Sequence, residues 1–504
     1  MKVAVIDVGF NSLKMVKYRI EPSGSITSYG QMGTMARLGD GLAMTGFLGK
    51  EQMARTVEAL KLCRESAALD SVKHTILIGT SPVREAANRD EFLRLVRDET
   101  GLGMRVLTGN EEALYGYLGA SRSVGSPTAL YFDLGGGSLE LVYAEQNRVK
   151  RIMSLPLGAL KLTSIFAGEE GVFTRKARAK MEKRVVQSIP SRRELGISRE
   201  ARLFGTGGTV RALARFDQDR IEYPLNKVHN YQVDYGSIQE MSRKFLKSSV
   251  EELAQVEAIG EGRARTIAAG ALVVRHLMKR LGFEEMTVST HGVRDGILLE
   301  YLGRGRIPTP SPEGLEREVE SSQGSFEELP RASDALTKCL VRNGILDLRQ
   351  EAIVRVALAE GRSRDCVDAD PAALFGIMMS KDLPMGHRDQ LFTVISLVRA
   401  RRPRTANWLL KKYDSMVSRD DAKAVRKLGA CLRFMEVLDR TGSHYRVAYS
   451  GGVRISVSDN GGSFPLDLAR AAGLALSTAI KKPVSVFAGV KAKDRRTGII
   501  KEAE

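Results

Sequence analysis

Two short segments of this chain repeat one another. Asp7-Val8-Gly9-Phe10-Asn11-Ser12-Leu13-Lys14 and Asp133-Leu134-Gly135-Gly136-Gly137-Ser138-Leu139-Glu140 carry an acid, a glycine, a hydroxyl and a leucine in the same order. Apolar runs flank both: Val3-Ala4-Val5-Ile6 and Met15-Val16 around the first, Leu130-Tyr131-Phe132 and Leu141-Val142-Tyr143 around the second. Each reads as strand, tight turn, strand. Glycine in such a turn permits positive φ and lets backbone N–H groups approach an anion, while a carboxylate at the end of the first strand can hold a metal ion beside it. Two hairpins of this kind facing each other would grip opposite ends of a phosphorylated ligand.

The surroundings of the two hairpins repeat as well. Residues 1–125 alternate strands and helices, with a helical stretch from Glu51 to Ala68, a strand His74-Thr75-Ile76-Leu77-Ile78 and a helix from about Asp90 to Glu99. Residues 126–302 begin again with the second hairpin. They continue through Ile152-Met153-Ser154-Leu155-Pro156, a charged helix around 174–187, the strand Leu203-Phe204 and helices to Leu302. A half-length period points to a duplicated α/β domain. Segment 303–330, opening Gly303-Arg304-Gly305-Arg306-Ile307-Pro308, reads as a linker to a separate unit, 331–504. That unit is helical to about 440, with a strand pair about Gly451-Gly452, a helix near 466–480 and a strand at Val484-Ser485-Val486-Phe487.

Charge is unevenly shared between these units. Of the net +17, the last unit holds 31 basic against 19 acidic residues, and 1–330 holds 46 against 41. A clustered positive field attracts polyanions and releases their counterions, whereas a merely solvated basic face needs no partner. No stretch approaches ~18 uninterrupted apolar residues and the N-terminus enters a strand directly, so a cytoplasmic protein without a membrane partner is expected. Cys63, Cys339, Cys366 and Cys431 lie far apart and form no C-x-x-C pair, so reduced thiols are expected rather than a disulfide framework or zinc site.

Three further clusters combine glycine, hydroxyl, arginine and carboxylate. Gly205-Thr206-Gly207-Gly208-Thr209 follows an apolar pair and opens a helix carrying Arg211, which makes it either an anion site at a helix N-terminus or a point of close backbone packing. It lacks the Lys-Ser/Thr ending of a Walker loop and the spacing of a dinucleotide fingerprint. In Thr80-Ser81-Pro82-Val83-Arg84-Glu85-Ala86-Ala87-Asn88, Arg84 can donate a planar pair of hydrogen bonds to phosphoryl oxygens or pair with a surface carboxylate. Thr108-Gly109-Asn110-Glu111-Glu112-Ala113 is a turn into a helix with adjacent carboxylates. These point about 100° apart, so one of the two can face a cleft; both would also favour the helix dipole.

Taken in order, these five clusters resemble the exopolyphosphatase and guanosine pentaphosphate phosphatase (Ppx/GppA) family of the actin-like ATPase superfamily. Weaker echoes run from Arg263 through Gly270 and over Gly292-Val293-Arg294-Asp295-Gly296, so the resemblance covers roughly residues 1–302. It implies two actin-like, ribonuclease H-like α/β domains closing on a phosphate chain. The expected activity is an exopolyphosphatase that releases terminal orthophosphate from inorganic polyphosphate. Hydrolysis of the 5′-phosphate of guanosine pentaphosphate, or a polyphosphate or alarmone sensor without turnover, are the alternatives. The resemblance places the catalytic carboxylate on Glu112, with Glu140 as the other candidate. Arg84 and the N–H groups of Gly135, Gly136, Gly137 and Ser138 are expected as oxyanion donors, and Asp7 and Asp133 as ligands of Mg²⁺ or another divalent cation. Asn11, Ser12, Gly207, Gly208 and Thr209 are expected to hold phosphates. A monovalent cation is a further possible cofactor, a homodimer is expected, and no specific nucleic acid is.

Two residues depart from the family pattern: Phe10 stands where a serine is usual, and Pro82 replaces a small residue. The first removes a hydroxyl contact and puts a ring in the loop; the second stiffens the turn before Arg84. The C-terminal unit is similar to the HD-like helical domain of many family members, over Leu374 to Leu383, Ser396 to Pro403 and Leu432 to Arg440. Its metal site is expected to be lost, because 331–504 contains only His387 and His444, neither next to an aspartate. Arg399, Arg401, Arg402, Arg404, Lys411 and Lys412 are expected to line a channel for the distal polymer.

Overall fold

Val3, Ala4, Val5 and Ile6 are completely buried, as a strand covered on both faces requires, and they form the middle of β1 (Lys2–Val8) at the heart of the first sheet. The computed structural model describes residues 1–22, 24–124, 126–168, 171–303, 331–367, 369–439, 444–458 and 466–489. Its contacts divide the chain into two compact units, Met1–Gln323 and Gly324–Glu504. The expected linker after Gly303 lies outside the described residues.

In the first unit, β1 pairs antiparallel with β2 (Leu13–Ile20), and β2 pairs antiparallel with β3 (Ile26–Thr34). On its other side β1 pairs parallel with β4 (His74–Gly79), followed by β5 (Met104–Val106), giving the order β3-β2-β1-β4-β5. The second sheet repeats this. Its strands are β6 (Ala129–Leu134), β7 (Leu139–Glu145), β8 (Arg148–Leu155), β9 (Arg202–Thr206), β10 (Gln232–Asp234) and β11 (Glu285–Val288). Their order, β8-β7-β6-β9-β11-β10, matches the first position by position and adds one antiparallel edge strand. The half-length pattern is therefore a duplicated mixed sheet, one strand order recurring in both halves. Helices were expected throughout to Leu302, yet β11 interrupts them: Gly282, at φ +66°, ends the helix Ile267–Leu281, and Met286 and Val288 enter the sheet fully buried.

Two helices join the halves. Gly109–Val124 puts Tyr115 against the first sheet with Val3 and Val5, and Tyr117 and Leu118 against the second with Tyr131 and Val142. Val293–Tyr301 crosses it so closely that a Cβ on Gly119 would lie 2.1 Å from the Gly292 carbonyl oxygen, and one on Gly296 would lie 2.1 Å from that of Tyr115. Glycine at both positions lets the backbones touch, which fixes where the helix bearing Glu112 begins. No helix among the described residues is long and apolar enough to cross a membrane.

The second unit is built around the helix His387–Arg401, in which Leu391, Phe392, Val394, Ile395, Leu397 and Val398 are buried. A helix apolar all round belongs in a core. It packs against Arg419–Asp439, Pro403–Lys412 and Leu348–Gly361. A three-stranded sheet completes the unit: β12 (His444–Tyr449) antiparallel to β13 (Val453–Ser458), and β13 parallel to β14 (Val484–Gly489). All four cysteines are free, three of them buried.

Candidate active site

The two hairpin loops have the same geometry. Gly9 N donates to Ser12 O at 3.1 Å and Gly135 N to Ser138 O at 3.1 Å. In register, Asp7 faces Lys14 across the first hairpin, and Asp133 faces Glu140 across the second. Equivalent scaffold positions thus hold a cation in one half and a carboxylate in the other. Both loops leave the carboxyl ends of parallel strands, where open α/β sheets form their binding crevices.

Between them lies a cleft of about 140 Å³. Of the residues singled out in the sequence, Asp7, Asn11, Ser12, Glu112, Asp133, Gly135, Gly136, Gly137, Ser138, Gly207, Gly208 and Thr209 line it. Arg84 and Glu140 stand behind this lining. Lys14, Arg211, Arg263 and Arg294 also face the cleft, and sequence reasoning gave them no role. Lys14 sits inside the first repeated loop and Arg294 inside a quoted glycine cluster, so a signal existed for those two. The other two also had a signal, Arg211 on the helix that the 205–209 glycine segment opens and Arg263 at the head of the echo that runs to Gly270.

Local sequence positions each group. Thr108 starts the helix of Glu112: its N–H donates to Glu111 Oε2 at 2.8 Å, while Arg105 pairs with Glu111 Oε1 at 2.8 Å. Glu111 is thereby tied outward as a capping partner, and Glu112, one step round the helix, turns inward. Arg84 Nη1 donates to Glu112 Oε2 at 2.9 Å and to the Leu107 carbonyl at 2.8 Å. Both bonds come from Nη1, so Arg84 holds the carboxylate in place, and the oxyanion-donor role expected for it would fall to its other N–H groups. Pro82 falls in the first helical turn after Thr80, where a missing N–H costs nothing. Phe10 is 3% exposed, and a Cβ on Gly39 or Gly137 would come within 2.5 Å of its ring. The ring is buried between the two loops, at the wall of the cleft. At Gly207, φ is +107° and a Cβ would lie 2.5 Å from Leu134 O and 2.9 Å from Asp133 Oδ1, so the second sheet needs glycine there.

The charges separate into two poles. Burial, and then the charge of Glu140, hold the Glu112 carboxyl well above the usual range against the pull of Arg84. Burial lifts Glu140 to about 7 although the Ser138 and Ser154 hydroxyls bond to it, Ser154 Oγ at 2.8 Å. At the other pole burial, then Arg211 and Arg294, push Lys14 down to about 7. Burial, then Arg294 and Arg263, lower Arg211 to about 10. Cations crowded enough to depress one another invite an anion. Asp7 and Asp133 lie between the poles, both raised by burial. Arg294 Nη1 donates to Asp7 Oδ2 at 3.3 Å, while the buried Asp7 Oδ1 has no hydrogen-bond partner among the described residues. Two half-buried carboxylates facing the cleft, one with an oxygen unbonded among the described residues, suit a hard divalent cation that keeps several waters.

The six cations expected to line a polymer channel diverge within their own unit. Arg401 is spent on the Cys366 and Gly361 carbonyls, at 2.6 and 3.2 Å, and on Glu436 at 3.1 Å. Half-buried Arg399 donates to Asn407 Oδ1 at 2.8 Å. Arg402, Arg404, Lys411 and Lys412 are exposed. Arg401 is a structural strut, so the six do not form one exposed row.

A family model for the Ppx/GppA phosphatase family matches residues 19–304. Exopolyphosphatase 2 of Mycobacterium tuberculosis is 28% identical over 323 residues, spanning 60% of this chain and 99% of that protein. Among solved structures, the PPX-GPPA enzyme of Aquifex aeolicus is 27% identical with a TM-score of 0.50, covering 60% of this chain and 99% of that one. An exopolyphosphatase from Cytophaga hutchinsonii shares the fold at 23% identity and a TM-score of 0.56, covering 60% and 98%.

Proposed function

The chain belongs to the Ppx/GppA phosphatase family, and from that premise we propose that it is an exopolyphosphatase, hydrolysing the terminal phosphoanhydride of inorganic polyphosphate. The observation that carries this reading is the two-pole cleft, with glycine loops from both sheets, four cations at one end and Glu112 at the other. Phosphoryl transfer to water needs positioning, charge stabilisation and a base, and little else from the protein. Glu112 takes the proton of a water whose oxygen attacks the terminal phosphorus. The anhydride P–O bond breaks, orthophosphate forms, and the chain leaves one unit shorter. Arg84 keeps Glu112 in place and favours its ionised form. N–H groups of Gly136, Gly137 and Ser138 hold the terminal phosphoryl oxygens, that of Gly135, expected among them, being spent on the Ser138 carbonyl, and Lys14, Arg211, Arg263 and Arg294 hold the following phosphates. A divalent cation on Asp7 and Asp133 would neutralise charge developing on the phosphate oxygens. Glu112 is favoured over Glu140 as base because it lines the cleft, whereas Glu140 is 3% exposed.

Polyphosphate is favoured over a nucleotide by the lining. Among the described residues its one aromatic is Phe10, whose ring is in the core, so a base finds no stacking surface. Phosphate release with Mg²⁺ is to be measured in parallel from long polyphosphate, short polyphosphate and guanosine pentaphosphate. Turnover of both polyphosphates well above that of the nucleotide is expected; release from the nucleotide alone overturns the reading.

A further inference from the structure

The helix Arg175–Ser188 carries a charge pattern that its own folding does not ask for. Met181 and Val185 are its buried residues, and the opposite side presents Lys176, Lys180 and Lys183, all exposed, with exposed Arg184 beside them. Spacings of four and three residues put the three lysines in one row, successive cations about 5 Å apart along the axis. Like charges at these spacings repel. Arg175 and Lys176 also lie in the first turn, which holds no acid, so they oppose the helix dipole where a carboxylate would favour it. Thr174 Oγ1 accepts from Ala177 N at 3.2 Å, so the helix start is capped without help from charge.

The one carboxylate of the helix does not offset the row. Glu182 is held from the other side by Arg275 Nη2 at 2.7 Å and His276 Nε2 at 2.8 Å. The positive surface continues beyond the helix, where exposed Arg280 donates to the Ile189 carbonyl at 2.5 Å. A row of cations that costs helix stability and has no ion-pair partner among the described residues is complementary to an extended polyanion. The segment 174–188 contains no aromatic residue, so it lacks the stacking platform that single-stranded nucleic acid uses. Its exposed face is polar and offers no apolar wedge to a membrane.

We propose that this helix face is a second polyphosphate contact outside the cleft, binding a stretch of a long chain remote from the end being cleaved. The inference rests on the exopolyphosphatase reading, and its test separates the two. In the full-length protein Lys176→Gln, Lys180→Gln and Lys183→Gln are combined, and phosphate release is measured from long polyphosphate and from tripolyphosphate over a salt series. The expected result is a KM for the long chain raised about tenfold near physiological salt and a salt slope reduced by about three, one per cation removed. Turnover number and tripolyphosphate kinetics stay unchanged, and the melting temperature is unchanged or higher, since repulsion along the helix is relieved. Unaltered long-chain KM and salt slope overturn the proposal. If the parent protein cleaves no polyphosphate of any length, the exopolyphosphatase reading has failed. Direct binding of labelled long polyphosphate then decides the surface separately: weaker binding by the variant upholds it, and equal binding sinks it. Lost affinity for duplex DNA with polyphosphate affinity intact also overturns it.

Discussion

Replacing Arg84 with methionine tests how the cleft prepares its base. Arg84 Nη1 lies 2.9 Å from Glu112 Oε2, and the two side chains are only 21% and 13% exposed, so solvent screens the pair weakly. A hydrogen bond to a charged group contributes about 1.5–3 kcal/mol, here to the ionised carboxylate alone. A tenfold change in an equilibrium corresponds to about 1.4 kcal/mol, so removing the guanidinium, which raises the Glu112 pKa, lowers kcat/KM on the acid side of the profile by about ten- to a hundredfold. Arg84 pulls that pKa down, hence its loss leaves less of the base ionised at any given pH. The acid limb of the kcat/KM profile moves to higher pH, and most of the activity returns above the shifted limb. The assay is phosphate release at saturating Mg²⁺ over a pH series, with melting temperature followed because the bond to the Leu107 carbonyl is lost too. Arg84→Lys should place the limb between those of the parent and the methionine variant. A uniform fall in rate at every pH, with the limb unmoved, would refute the reasoning and return Arg84 to the role of a direct phosphate donor.

Three other outcomes follow from the same geometry. Glu140→Gln removes the like charge that raises Glu112, so the acid limb should move to lower pH, opposite in sign to the Arg84 variant; a limb moving upward would show that the two carboxylates are not coupled as described. Glu112→Gln should abolish phosphate release while leaving polyphosphate affinity, by equilibrium binding, within a few fold; full activity would remove Glu112 as base. Gly296→Ala places a Cβ 2.1 Å from the Tyr115 carbonyl oxygen and must separate the crossing helices, at a cost of about 1–3 kcal/mol. Its melting temperature should fall by several degrees, and an unchanged value would mean that the helices part freely.

The sequence disclosed the scaffold more fully than the roles. The two hairpins, the duplicated α/β pattern and the strand pair about Gly451-Gly452 all follow from period and glycine placement, which are local properties; register and strand order came only with the structure. β3 escaped notice because it is a partly exposed edge strand without alternation, and β11 because four residues between helices carry too little pattern. Side-chain targets were harder. Nothing local says that Arg84 meets a carboxylate 28 residues on, or that Arg401 turns inward while Arg404 stays exposed. The adjacent pair Glu111 and Glu112 is intermediate: the geometry of a helix allowed one to face inward, and Thr108 decided which. Lys14, Arg211, Arg263 and Arg294 are spread over 280 residues, and only the closing of two sheets gathers them.

That gathering explains how a duplicated scaffold acquires a direction. Asp7 and Asp133 are equivalent, as are the Gly9 and Gly135 turns, so two identical halves would bind a phosphate chain equally well either way round. The register partners break the symmetry, with Lys14 on one hairpin and Glu140 on the other. Lys14 stands among Arg211, Arg294 and Arg263, whereas the charged neighbours of Glu112 are Glu140, Arg84 and Asp7. A polyanion lowers its energy by lying over the first group, and only its end, with the fewest phosphates beyond it, can abut the second without running past two carboxylates. Removal of one unit at a time then follows from electrostatics, with no steric stop required. On this proposal the scissile phosphorus sits at the three-glycine loop, next to Glu140.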